Sequence, residues 1–160
     1  MRPAGHAVFA KGAPMDMLLE APAPTRTALE RLRLGQTASH TKTVTAADIA
    51  HFAALSGDAN PIHLDADYAR TTRFGGRIAH GMLAASLISA VLGTELPGPG
   101  AVYLAQSLAF RAPVRPDETV TATVTVEEII PAKRRVVMTT VCRVGERVVV
   151  DGEATLLVPA

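Results

Sequence analysis

This chain has one cysteine, no tryptophan and no excess of either charge. A single thiol, Cys142, forbids an internal disulfide and a cysteine-built metal centre, which suits a reducing cytoplasm. Two tyrosines and four phenylalanines are the whole aromatic complement, so the core has to be assembled from Ala, Val, Leu and Ile. Sixteen Lys and Arg stand against fifteen Asp and Glu, for a formal net charge of +1. That balance provides no global field to attract nucleic acid or an anionic membrane, and neither is an expected partner. Long apolar runs are lacking as well. The uncharged stretch from Ile78 to Gly93 falls short of the ~20 apolar residues a bilayer span needs. Near the N-terminus Val8, Phe9 and Ala10 are cut off by Lys11 and Gly12, which leaves no apolar region of a secretory signal.

What is present suits one globular domain: 160 residues, 48% hydrophobic and 19% charged. Residues 1–30 carry four prolines among scattered Ala and Gly with no sustained apolar period, and are expected to be a flexible leader. Residues 31–160 are expected to form the domain. The Thr-rich run from Gln36 to Val44 predicts a strand. Thr45 and Asp48 have capping-box spacing, and Ile49, Phe52, Ala53 and Leu55 form the apolar stripe of the helix that follows, which Gly57 ends. A short helix with Tyr68 turned inward leads to the glycine pair Gly75 and Gly76. Ile78 to Gly93, without a charge, predicts a helix buried on every side, and Gly81, Ala85 and Ser89 give it a face that a neighbour can approach closely. Four Val- and Thr-rich strands follow, at 102–110, 119–129, 136–144 and 147–157. The order predicts an α+β fold with an antiparallel sheet and helices on one face. One small sheet cannot enclose a central helix alone, so a homodimer is expected.

The chemistry centres on residues 56–89. Asp58 and His63 are separated by Asn60 and Pro61, and the fixed φ of Pro61 stiffens the segment between them. A carboxylate and an imidazole on one short rigid loop can converge on a single water, as acid/base chemistry requires. The alternative is a surface loop whose Asp caps a helix and whose His is solvated.

The stretches SGDANPIHLD, GGRIAHGMLAASLIS and LPGPGAVYLAQSLAFRAPV strongly resemble the MaoC-like dehydratases of the hot-dog fold, in particular the (R)-specific enoyl-CoA hydratases, over about residues 35–158. The resemblance implies a long central helix wrapped by an antiparallel sheet, and a dimer. It implies reversible syn hydration of a trans-2-enoyl thioester to an (R)-3-hydroxyacyl thioester, with coenzyme A or an acyl carrier as the substrate's carrier, no metal and no redox cofactor. His63 is then the base that takes a proton from water, and Asp58 orients the water and returns a proton to C2. Gly81, in the first turn of the buried helix, matches an oxyanion position, where free backbone amides favour a developing enolate; without the resemblance a packing glycine is an equal alternative. Ser89 matches a serine that supports Asp58, with Ser86 as a competitor that can bond back to its own helix. Asn60 holds the loop by turn-type bonds. His80 is expected to be structural, and His6, His40 and His51 solvated. Coenzyme A phosphates call for basic residues, for which Arg73 and Arg77 are candidates, while Lys133, Arg134 and Arg135 read as a solvated edge. Two other activities use the same fold: a thioesterase that aims water at the carbonyl carbon, and a silent acyl-binding or scaffold subunit.

Overall fold

The computed structural model describes residues 27–159. The leader expected at 1–30 lies outside the described residues except for its end, which is already part of the domain. Thr27 caps the short helix α1 (Ala28–Arg31) through a reciprocal capping box with Glu30, and Leu32 is buried in the core. The order of elements continues with β1 (Thr37–Val44), α2 (Ala46–Ser56), α3 (Pro61–Leu64), α4 (Ala66–Thr71), α5 (Gly81–Thr94), β2 (Val102–Phe110), β3 (Glu118–Ile130), β4 (Arg135–Val144) and β5 (Arg147–Leu157). A single 3-10 turn, Pro131–Lys133, joins β3 to β4.

The five strands form one antiparallel sheet in the order β1-β3-β4-β5-β2. Alternation sorts the side chains. Val120, Ala122, Val124 and Val126 of β3 are buried, and their inward row continues through Val136, Met138 and Cys142 of β4 to Ala154 and Leu156 of β5. On the outer face, hydroxyls pair across β1 and β3: Ser39 with Thr123 at 2.8 Å, Thr41 with Thr121 at 2.9 Å, and Thr43 with Thr119 at 2.8 Å. Helix α5 lies on the inner face and buries Leu83, Ala84, Leu87, Ile88, Val91 and Leu92. The Cys142 thiol, whose pKa burial pushes up to about 12, donates to the Ala84 carbonyl at 3.5 Å. This is the hot-dog fold, a helix held in an antiparallel wrap.

Four local expectations change in the tertiary structure. The stripe of α2 holds at Ile49 and Ala53, but Leu55 is 87% exposed because it falls outside the arc that faces the core. In α4 the cap at Asp65 sets a phase that buries Ala69 and leaves Tyr68 49% exposed. Residues 78–80 are extended rather than helical, since the Ile78 amide donates to Ile62 and the Ala79 amide to Val114, so α5 begins at Gly81. Nor is α5 covered all round. Gly81, Met82, Ser86 and Ser89 are exposed along one side.

Candidate active site

Local rules place the first part of the site. Helix α2 is capped at its start by Thr45 and Asp48, and the left-handed Gly57, with φ of 80°, ends it and turns the chain outward. Asp48 has its pKa lowered from 3.8 to about 2, chiefly by the Thr45 backbone amide, then by the Thr45 hydroxyl and Lys42. After Gly57 the loop folds on its own polar groups. The Asn60 amide donates to Asp58 Oδ1 at 3.2 Å, and Asn60 Oδ1 accepts the Ile62 amide at 3.2 Å as the cap of α3, where Pro61 takes the first helical position. Ser56 Oγ donates to the Phe52 carbonyl at 2.7 Å and accepts the Asp58 amide at 3.2 Å. Sequence reasoning passed over this serine, although a Ser two residues before an Asp is a known pattern for such a bond.

The single turn α3 brings His63 under the loop. Its Nδ1 lies 2.8 Å from the Ile78 carbonyl, which can only accept, so Nδ1 carries the proton and Nε2 presents a lone pair. Nε2 faces Asp58 Oδ2 at 3.9 Å. The imidazole is buried and the carboxylate half-exposed, so the pair sits at the floor of an opening rather than in the core. That gap is too long for a direct hydrogen bond, and a water at about 2.8 Å from each atom fits across it.

His80, the residue before α5, brings a third group to the same place. It is 3% exposed, its ring packs on that of His63 with centroids 3.7 Å apart and on Phe52 at 5.0 Å, and its Nε2 lies 2.9 Å from the Asp58 carbonyl. Polar atoms of Asp58, His63 and His80 lie within 4.8 Å of one another, a spacing that could hold a metal ion. Their chemistry suits one poorly. Each imidazole already gives one N–H to a backbone carbonyl, which leaves a single ring nitrogen on each for an ion, and that of His80, Nδ1, is fully buried.

These groups open on a cavity of about 680 Å³, whose wall includes Arg73, Phe74, Ile78, Gly81, Met82 and Phe110. Gly81 is the first residue of α5, so its amide lies among those without an intrahelical partner. The ring of Phe110 covers it closely: a Cβ at Gly81 would lie 2.6 Å from Phe110 Cε1. Of the two basic candidates only Arg73 lines the cavity, with its guanidinium 4.8 Å from the centre of the Phe74 ring, and Lys133, Arg134 and Arg135 line no described cavity. Within this chain Ser89 does not join Asp58. It lines a second groove of about 550 Å³ together with Ser86, Tyr103 and Gln106, separated from the first by Phe52 and Met82, which belong to both. The reason is distance along the helix, since eight residues at ~1.5 Å each carry Ser89 two turns beyond Gly81. Ser86 bonds back to the Leu83 carbonyl at 2.7 Å. His40 and His51 are exposed, and His6 lies outside the described residues.

Fold and site together define an enzyme of the hot-dog class, with a carboxylate and an imidazole facing each other near the start of its central helix. More particularly, the chain belongs to the MaoC-like dehydratase family: the family's MaoC like domain matches residues 31–148. It is 58% identical over 131 residues to an (R)-specific enoyl-CoA hydratase of Rhodospirillum rubrum, covering 82% of this chain and 91% of that one. To a 3-hydroxybutyryl-CoA dehydratase of Methylorubrum extorquens it is 52% identical over 130 residues, with 81% and 83% covered. Among solved structures, the (R)-hydratase from A. caviae involved in PHA biosynthesis superposes with a TM-score of 0.79 at 46% identity, over 81% of this chain and 99% of that one. An unliganded R-hydratase from Pseudomonas aeruginosa gives 0.78 at 47% identity, over 83% and 85%. A fluoroacetyl-CoA thioesterase, at 17% identity and a TM-score of 0.55, shares the fold alone.

Proposed function

We propose that this protein is an (R)-specific enoyl-CoA hydratase, adding water reversibly and on one face to a trans-2-enoyl thioester to give the (R)-3-hydroxyacyl thioester. The observation that carries this assignment is the pairing of Asp58 Oδ2 and His63 Nε2 across 3.9 Å at the cavity floor, beside the first amide of α5. A water held between the two atoms loses a proton to His63 Nε2 as its oxygen bonds C3. Electron density moves onto the thioester oxygen, where the Gly81 amide and the positive end of α5 stabilise it. The proton taken by His63 Nε2 passes to Asp58 Oδ2, 3.9 Å away, and Asp58, which orients the water, delivers it to C2 on the same face. The proton that left the water is the one that reaches C2, so the pair ends as it began. Asn60 and Ser56 act on the loop and not on the substrate.

In this scheme no resident metal or redox group takes part, and coenzyme A enters as part of the substrate. Arg73 is the basic candidate for its phosphates on the cavity wall, where the other arginine, Arg111, is paired with Asp151. Ser89 has no role toward Asp58 of its own chain. We further propose that a second copy covers the open side of α5. Met82, Val102, Tyr103 and Leu104 are exposed large apolar residues beside the second groove, and β2 is an edge strand with one side unpaired. Light scattering on the purified protein tests this, a dimer being expected. No helix among the described residues is long and apolar enough to cross a membrane, and the lone buried thiol suits the reducing cytoplasm.

The deciding experiment follows crotonyl-CoA through loss of the enoyl absorbance, release of free thiol and chirality of the product. Hydration to the R product without thiol is expected. Thiol release without hydration would assign a thioesterase instead.

A further inference from the structure

Asp58 is held by three bonds, two of which come from its own loop. Ser56 Oγ accepts its amide at 3.2 Å, and its Oδ1 accepts the Asn60 amide at 3.2 Å. The third bond comes from outside the loop, from His80 Nε2 to the Asp58 carbonyl at 2.9 Å, across 22 positions of sequence. Oδ2, which faces His63, is the polar atom of Asp58 that no described residue bonds directly. The extended residues 78–80 therefore grip both halves of the acid–base pair, since the Ile78 carbonyl orients His63 and the His80 side chain holds Asp58. The next residue is Gly81.

His80 is an unusual choice for a buried packing residue. A carbonyl only accepts, so the bond to Asp58 fixes the proton on Nε2 and leaves Nδ1 as a bare acceptor. Nδ1 is buried and has no hydrogen-bond partner among the described residues. A phenylalanine would keep the ring contacts with His63 and Phe52 and carry no orphaned polar atom. Histidine at this position therefore costs stability and gains one bond, the one that ties the Asp58 loop to the start of α5.

We propose that His80 is a positioning residue for the hydration, fixing the water-holding carboxylate at a set distance from the amide that receives the thioester oxygen. It acts through Asp58: its side chain is only 3% exposed in the cavity wall, and its one N–H is committed to the Asp58 carbonyl. The proposal rests on the hydratase assignment, so the unaltered enzyme is assayed first; absence of R product from it counts against that assignment and not against His80. Two substitutions then separate the bond from the ring. His80→Phe keeps the ring and loses the donor, and His80→Gln keeps an N–H near the Nε2 position and loses the ring.

A displacement of about 1 Å at a reacting group is worth on the order of 100-fold in rate, so His80→Phe is expected to lose roughly 10- to 100-fold in kcat with KM nearly unchanged and the melting temperature unchanged or raised. His80→Gln is expected to recover kcat to within about fivefold of the unaltered enzyme. A folded His80→Phe with undiminished kcat overturns the proposal. So does an equal loss in both variants, or a loss confined to KM. If His80→Phe fails to fold, His80→Gln decides alone: near-normal kcat supports the positioning bond, and a loss as deep as that of His63→Ala refutes it.

Discussion

Replacing Gly81 by alanine separates two reasons for a glycine at the start of α5. The added methyl would sit 2.6 Å from Phe110 Cε1, 2.7 Å from Cδ1 and 3.3 Å from Cζ, against the ~3.5–4.0 Å at which carbons pack. The ring must withdraw by about 1 Å. It can do so at small cost, because Phe110 is the last residue of β2 and is 55% exposed. Alanine also favours the helix over glycine by up to about 1 kcal/mol, which offsets the displacement. The melting temperature should therefore stay within about 4 °C of the unaltered protein. Activity should behave differently. In the proposed mechanism the thioester oxygen approaches the Gly81 amide where that methyl would stand, and a misplacement of about 1 Å there predicts a fall in crotonyl-CoA hydration on the order of 100-fold. Adding Phe110→Ala removes the ring but leaves the methyl, so the double variant should remain impaired. Its recovery to normal turnover would refute the oxyanion argument and show that the glycine exists to accommodate Phe110.

His63→Ala should fold normally and lose about 10²- to 10⁴-fold in kcat, and Asp58→Asn, which keeps the shape and the bond from Asn60, should be similarly impaired; a folded variant at full rate would remove that residue from the mechanism. The carboxyl of Asp48, lowered to about 2, contributes stability that is complete above about pH 4 and lost as the pH falls toward 2. Replacing it by Asn should remove about 1 kcal/mol of that pH-dependent part, read as a flatter acid limb in thermal melts between pH 2 and 5. In Gly152→Ala the new Cβ would lie 1.8 Å from the Ser107 carbonyl oxygen, so β5 and β2 must part, and a loss of about 3 kcal/mol, or roughly 10 °C in melting temperature, is expected. An unshifted melt would show that the strand pair flexes there freely.

Much of this molecule follows from interactions spanning a few residues, and those were legible in the sequence. The Thr45–Asp48 box and the stop at Gly57 depend on groups three or four positions apart. The turn after Asp58 depends on Asn60 and Pro61, although a loop was expected through His63 and Pro61 instead starts a helical turn that carries it, because Asn60 caps that turn. The four C-terminal strands were legible as Val- and Thr-rich runs, with alternation reproduced in the burial of β3 and β4 and the bounds 102–110 and 147–157 matching in full. Hydropathy also identified α5 as the central helix, since no charge interrupts it. The long specific stretches around the loop and the helix start pointed to the family before any contact was known.

Other features required the chain to be folded. Leu55 and Tyr68 are apolar at helical spacing, yet which arc of a short helix faces the core depends on how that helix is carried by its neighbours. The start of α5 moved to Gly81 because Ile62 and Val114, distant in sequence, take the amides of residues 78 and 79. Ser89 fell into a separate groove because helix geometry and the side chains of Phe52 and Met82 divide the space. The bond from His80 to Asp58 and the ring of Phe110 over Gly81 join residues that no local pattern relates. Sequence alone determined most of the elements and the candidate acid–base groups, because caps, turns and alternation are short-range. Only the tertiary structure decided how those groups are held against one another, because that is set by packing between segments far apart along the chain.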